Sequence, residues 1–119
     1  MTSPKKMQAY ERGVRAEDMC AEYLHGQGYE ILEQRYKTPM GEIDLIIKRD
    51  DMIAFVEVKA RKTEGEALES ITPRAQKRII QTAEHFLSTY TETYDIARFD
   101  ALAVTSDGIH HLENAWQVE

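Results

Sequence analysis

Apolar residues recur along the chain with two periods, and the change of period marks out the elements. Within residues 6–27, Tyr10, Gly13, Cys20 and Leu24 fall at steps of three, seven and four, which trace one stripe of a helix. Gly26 and Gly28 close it, because glycine readily takes the left-handed conformation that ends helices. Residues 29–36 then read as a strand. Residues 41–48 (GEIDLIIK) and 52–59 (MIAFVEVK) do so more strongly, being rich in β-branched and aromatic side chains. Thr72-Pro73 predicts a helix start, with threonine as cap and proline at the first helical position. Ala75, Ile79, Ala83, Phe86 and Tyr90 form the buried stripe of that helix, while Arg74, Lys77, Arg78 and Gln81 lie on its other faces. Residues 96–104 and 109–112 predict two last strands around an Asp107-Gly108 turn. The order αβββαββ predicts an α/β or α+β domain, a mixed sheet covered by helices.

Composition adds bounds. The 119 residues, 42% apolar and 30% charged, suit one domain with a real core, its first eight residues expected to be flexible. No apolar stretch approaches the ~20 residues that span a bilayer. No apolar segment follows Lys5 and Lys6, so no signal peptide is expected. The lone Cys20 excludes an internal disulfide and a cysteine-rich zinc site, fits a reducing cytoplasm, and reads as a small core residue. The net charge of −6 argues at first sight against a nucleic-acid partner. Residues 1–78, however, carry 14 basic and 14 acidic side chains, and residues 79–119 carry only Arg98 against seven acidic ones. The first two thirds are therefore free to present a basic face while enclosing carboxylates. A plainly solvated surface is the alternative.

The candidate chemistry sits in the hairpin of residues 41–59. A turn centred between Asp50 and Asp51 pairs Arg49 with Met52 and Lys48 with Ile53. Continued, that register sets Asp44 opposite Glu57 and Glu42 opposite Lys59, with Asp44, Glu57 and Lys59 on one face. Facing side chains have Cβ atoms ~4.5–5.5 Å apart, so two carboxylates there repel and one is driven toward protonation unless a cation intervenes. All-oxygen donors favour a hard ion, Mg²⁺ or Mn²⁺, over zinc. A solvated acidic pair beside a lysine is the competing reading. Glu17 lies four residues after Gly13 and three before Cys20, on or beside the apolar stripe, as a hydrogen-bonded structural residue or a further ligand. His110-His111 on a short strand point to opposite faces and suit structural roles, and Arg98 shares a face with Asp100, as an internal ion pair requires.

Several segments, GVRAE at 13–17, GEIDLI at 41–46, FVEVKAR at 55–61 and RFD at 98–100, closely resemble the YraN-like family of small bacterial proteins. The resemblance runs from about residue 10 to Trp116. That family is similar to the restriction-endonuclease-like nucleases, whose signature is Asp, a spacer, then Asp or Glu-x-Lys, and to archaeal Holliday-junction resolvases. The resemblance implies a restriction-endonuclease-like central sheet flanked by helices, Asp44 and Glu57 as metal ligands, Lys59 as the catalytic lysine and Glu17 as the first-helix acid. There are departures. Ile43 stands where a proline precedes the acid in the superfamily signature, and Ala16 and Arg35 stand where members commonly carry glycine and asparagine.

As chemistry, the constellation predicts metal-assisted hydrolysis of phosphodiester bonds in DNA, branched or damaged, or in RNA. The metal would be held by Asp44, Glu57 and the Val58 carbonyl, and Lys59 would orient or help deprotonate the attacking water. Arg61 and Lys62 follow the site, and Arg74, Lys77 and Arg78 open the next helix, so these five are candidate phosphate contacts, with Lys5, Lys6, Arg12 and Arg15 as a possible arm. The competing functions are a nucleic-acid-binding module with the nuclease fold but no useful turnover, and a scaffold whose acidic last third binds a basic partner. Resolvase relatives work as symmetric pairs, so a homodimer is compatible with the sequence.

Overall fold

Ile53, Ala54, Phe55 and Val56 are all fully buried, so the strand that carries them must be covered on both faces. The computed structural model, which describes residues 4–118 and their side chains from residue 8, places that strand at the centre of a five-stranded sheet. In chain order the elements are α1 (Pro4–Gly26), β1 (Glu30–Thr38), β2 (Gly41–Arg49), β3 (Met52–Ala60), α2 (Glu64–Ser70), α3 (Pro73–Thr89), β4 (Ile96–Thr105) and β5 (Gly108–Trp116). Of the eight residues expected to be flexible, 1–3 lie outside the described residues, and the helix begins at Pro4.

The strands lie side by side in sequence order. Every neighbour pair is antiparallel except β3 and β4, which run parallel and are joined by the α2–α3 crossover that such a pair requires. Residues alternate between the two faces of β3. Ile53 and Phe55 pack with Ile79, Ala83 and Phe86 of α3, and Ala54 and Val56 pack with Ala16, Cys20 and Leu24 of α1. The domain is thus an α/β mixed sheet between helices, as the periodicity predicts. The buried stripe of α1 is shifted from the predicted one: Ala16, Cys20 and Leu24 are buried, but Tyr10 is 70% exposed and Gly13 is exposed as well, Gly13 lining the open cleft.

Local signals account for the boundaries. Gly28 adopts φ 92, its N–H donates to the His25 carbonyl and the Tyr29 N–H donates to the Leu24 carbonyl, the paired bonds of a glycine-terminated helix. Thr72 caps α3 by accepting from the Ala75 N–H, with Pro73 in the first turn. The helix α2 is absent from the predicted order. Its signal is a short one, Thr63 accepting from the Glu66 N–H, and Gly65 together with the lack of an apolar repeat obscures it. Gly41 opens β2 where α3 crosses it, and a Cβ there would stand 3.1 Å from Thr82 Oγ1, which explains glycine at the head of GEIDLI.

The predicted Arg98–Asp100 pair forms, and more gathers around it. The fully buried Asp100 carboxylate accepts from Arg98 Nε at 2.9 Å and from the Asn114 N–H at 2.9 Å, with His111 Nε2 at 2.7 Å. Burial alone would raise the Asp100 pKa, but the His111, Arg98 and Asn114 hydrogen bonds pull it below the ordinary carboxylate range. His110 reaches instead to Glu64 at 2.7 Å, so the two histidines serve different partners. Asp100→Asn strips the charge from a buried network and leaves Arg98 only the exposed Glu113, 3.3 Å from its Nη2, as counter-charge. The substitution is expected to cost about 3–5 kcal/mol in urea unfolding.

Candidate functional site

The hairpin pairs in the expected register from Arg49↔Met52 through Lys48↔Ile53, Ile47↔Ala54 and Ile46↔Phe55 to Leu45↔Val56. There the ladder stops. Asp44 and Glu57, next in register, are not a ladder pair, and neither are Glu42 and Lys59, so the last two expected pairings are corrected. The reason is a side chain: Asp44 Oδ2 accepts the Val58 N–H at 2.8 Å, in place of a backbone carbonyl of β2. The N–H and C=O of one strand residue leave the same edge, so the Val58 carbonyl also faces the gap between β2 and β3.

Asp44 and Glu57 nevertheless meet, because the strands part by no more than a carboxylate. Burial, then the charge of Glu57 and a carboxyl–carboxyl contact with it, push the Asp44 pKa up to about 7 against the Val58 N–H, which lowers it. The Glu57 pKa is raised too, by burial, with Asp44 and Lys59 opposing. Lys59 Nζ lies 3.6 Å from Glu57 Oε1. Glu17 approaches from α1. Its pKa is pushed up to about 7 by burial, then by contact with Asp44 and its charge, while Arg35 pulls it down. All four predicted residues therefore converge.

Arg35 of β1 completes the group. Its Nε stands 2.7 Å from Glu17 Oε2, a close charge contact without hydrogen-bond alignment, and its Nη2 donates to Asp18 Oδ1 at 3.1 Å and the Val14 carbonyl at 3.4 Å. Its backbone φ of 54 lies in the left-handed region, which is unfavourable for a side chain of this kind by roughly 1–2 kcal/mol. The sequence gives no local signal for the contact. It follows from the β1–β2 register, Gln34↔Leu45 and Tyr36↔Ile43, which sets Arg35 across from Asp44.

A cleft of about 1040 Å³ opens onto the acids, lined by Arg12, Gly13, Glu17, Asp44, Glu57, Val58, Lys59, Arg61 and Lys62. On the α3 side a smaller hollow, about 200 Å³, joins Glu57 and Lys59 to Glu42 and Arg78. Arg61, Lys62 and Arg78 thus reach the site, whereas the exposed Arg74 and Lys77 line neither hollow. Lys37, absent from the predicted set, borders the acids beside Arg35 and Glu42. Cys20 lies behind them, fully buried, its thiol pushed up to about 12 by burial and the charges of Asp44 and Glu17.

The donor set fits a divalent metal. Asp44 and Glu57 supply hard oxygens at mutual repulsion, and the Val58 carbonyl faces the same gap. No three His, Cys, Asp or Glu side chains among the described residues are arranged as a ready shell. No helix among the described residues is long and apolar enough to cross a membrane.

The raised carboxyls make stability pH-dependent with a definite sign. A folded chain that keeps a proton after the unfolded chain has lost it is favoured in acid, and that advantage disappears as pH rises through the folded value of about 7. In EDTA, Asp44→Asn, which keeps an oxygen for the Val58 N–H, is expected to raise the Tm at pH 8 by about 5 °C. At pH 4.5 the gain should vanish, and differential scanning calorimetry at both values checks this.

Residues 16–104 match the uncharacterised protein family UPF0102. A UPF0102 protein of Azorhizobium caulinodans is 44% identical over 117 residues, covering 97% of this chain and 89% of that protein. One of Bradyrhizobium diazoefficiens is 44% identical over 105 residues, 87% of this chain and 79% of that protein. A third, of Rhodopseudomonas palustris strain BisA53, is 43% identical over 103 residues, 86% and 79% of the two chains. The matched span holds Glu17, Asp44, Glu57, Lys59 and Asp100, and the family is the one that GEIDLI and FVEVKAR resemble. The chain belongs to the uncharacterised protein family UPF0102.

Proposed function

We propose that this chain is a metal-dependent endonuclease that hydrolyses phosphodiester bonds in DNA. The observation that carries the reading is the half-buried contact of Asp44 with Glu57 at the parting of β2 and β3, with Lys59 beside them on the floor of a cleft edged by Arg12, Arg61 and Lys62. A sheet has no structural use for two mutually repelling half-buried carboxylates, whereas a phosphodiesterase has. Mg²⁺ or Mn²⁺ held by Asp44, Glu57 and the Val58 carbonyl would supply the charge that acidifies water and polarises a phosphate.

The chain's own residues divide the remaining work. Lys59 donates from Nζ to the attacking water or to a phosphoryl oxygen, offsetting negative charge as the P–O bond breaks. Arg61 and Lys62 hold flanking phosphates on one side of the acids, and Arg78 does so on the α3 side. Glu17 closes the carboxylate wall from α1. The cations lining these clefts suit contacts to phosphates, which carry no sequence information, so sequence specificity is not expected. The resemblance to restriction-endonuclease-like nucleases and junction resolvases supports the same reading and favours branched or damaged DNA as substrate.

Incubation with duplex, single-stranded and four-way DNA, and with RNA, in Mg²⁺ or Mn²⁺ tests this. Cleavage is expected, and Lys59→Ala should lower it about 10²–10³-fold without changing Mn²⁺ affinity in calorimetric titration. Asp44→Ala should abolish both. Binding with no cleavage in either metal would leave a nucleic-acid-binding module, and Mn²⁺ titration of Asp44→Ala identical to wild type would refute the ligand assignment. In anisotropy measurements the Arg61→Ala/Lys62→Ala double variant should weaken DNA binding on every substrate. It should also flatten the dependence of log K on log salt by about two.

A further inference from the structure

Glu17 stands in the acid cluster, yet its charge is already answered. Arg35 Nε lies 2.7 Å from Glu17 Oε2, and the far end of the guanidinium is fastened to Asp18 Oδ1 and the Val14 carbonyl, both on α1. Gln34 Nε2 in turn donates to Asp18 Oδ1 at 2.6 Å, which ties the next residue of β1 to the same helix. The φ of 54 at Arg35 departs from extended strand backbone, and the β1–β2 register sets this residue across from Asp44. Several independent contacts thus fix one permanent cation against one of the three acids.

We infer that Arg35 is a built-in counter-cation that keeps Glu17 out of the metal shell, so that the cluster takes one divalent ion, between Asp44 and Glu57, and not two. The inference rests on the metal-dependent reading above and specifies the ion count of that site. A guanidinium does not release its proton in the working pH range, so the charge cannot be switched off. A second dication at Glu17 would have to displace it or share the carboxylate with it. At such separations two positive charges repel strongly in a half-buried setting. Displacement would also break the bonds to Asp18 and Val14. Arg35 is in this sense a positioning residue: it acts on the ion through Glu17.

Mn²⁺ titration followed by calorimetry and by electron paramagnetic resonance, without substrate, reads the count directly. Wild type is expected to bind one Mn²⁺ per chain. Arg35→Asn, a residue that tolerates the left-handed backbone, should bind two, and adding Glu17→Gln should return the count to one. Arg35→Lys, which keeps the charge, should stay at one. In the wild-type background Glu17→Gln should change the affinity for the first ion less than about threefold, whereas loss of a ligand costs about tenfold or more. Two ions in wild type, one ion of unchanged affinity in Arg35→Asn, or a tenfold loss in Glu17→Gln each overturns the inference while leaving the nuclease reading intact. No Mn²⁺ in wild type but one in Arg35→Asn that Glu17→Gln removes overturns the metal reading and supports the counter-cation. No Mn²⁺ in either overturns both.

Discussion

Everything at the site depends on one replaced hydrogen bond. Where the β2–β3 ladder would continue past Leu45↔Val56, the Asp44 carboxylate takes the Val58 N–H. The substitution satisfies a buried donor, yet it brings a carboxylate inside the sheet's edge next to Glu57, in surroundings that disfavour both charges. The hydrophobic faces on either side, Ile43 and Phe55 with α3 and Leu45 and Val56 with α1, pack the two strands together around the acids. The core thus enforces the repulsion that an added cation would relieve.

The molecule contains a second buried carboxylate, and the contrast is instructive. Asp100 is more deeply buried than Asp44, but Arg98, His111 and the Asn114 amide leave it well supplied with donors, and its pKa falls. Asp44 has one backbone donor and two acidic neighbours, and its pKa rises. The same residue type is stabilising where it is more deeply buried and destabilising in the other place. Compensation, and not burial, separates a structural ion network from a group poised for chemistry.

The order of elements, the central hairpin and its register were legible because each is encoded over a few residues: apolar spacing, a two-residue turn, a threonine followed by proline. The acids and Lys59 could be placed near one another from that register alone. Its last two pairs could not be foreseen to fail, since the failure comes from a side chain competing for a backbone donor. The helix α2 was invisible to periodicity because seven residues hold too little of a repeat. Among the basic residues, chain position suggested five. Of those five, three border the acids: Arg78, exposed like Arg74 and Lys77, is the one of the α3 set that lines the hollow beside Glu57 and Lys59.

The sequence by itself determined which strands form, how the hairpin aligns and which oxygen atoms stand nearest its open end. Those features depend on alternation and on neighbours close along the chain. Tertiary structure alone decided that Arg35 meets Glu17, that His111 and Asn114 complete Asp100, and that clefts open on both sides of Glu57. Each of these joins different elements, and their meeting depends on how α1 and α3 pack on the sheet and how β5 folds back on β4. No spacing rule records that packing.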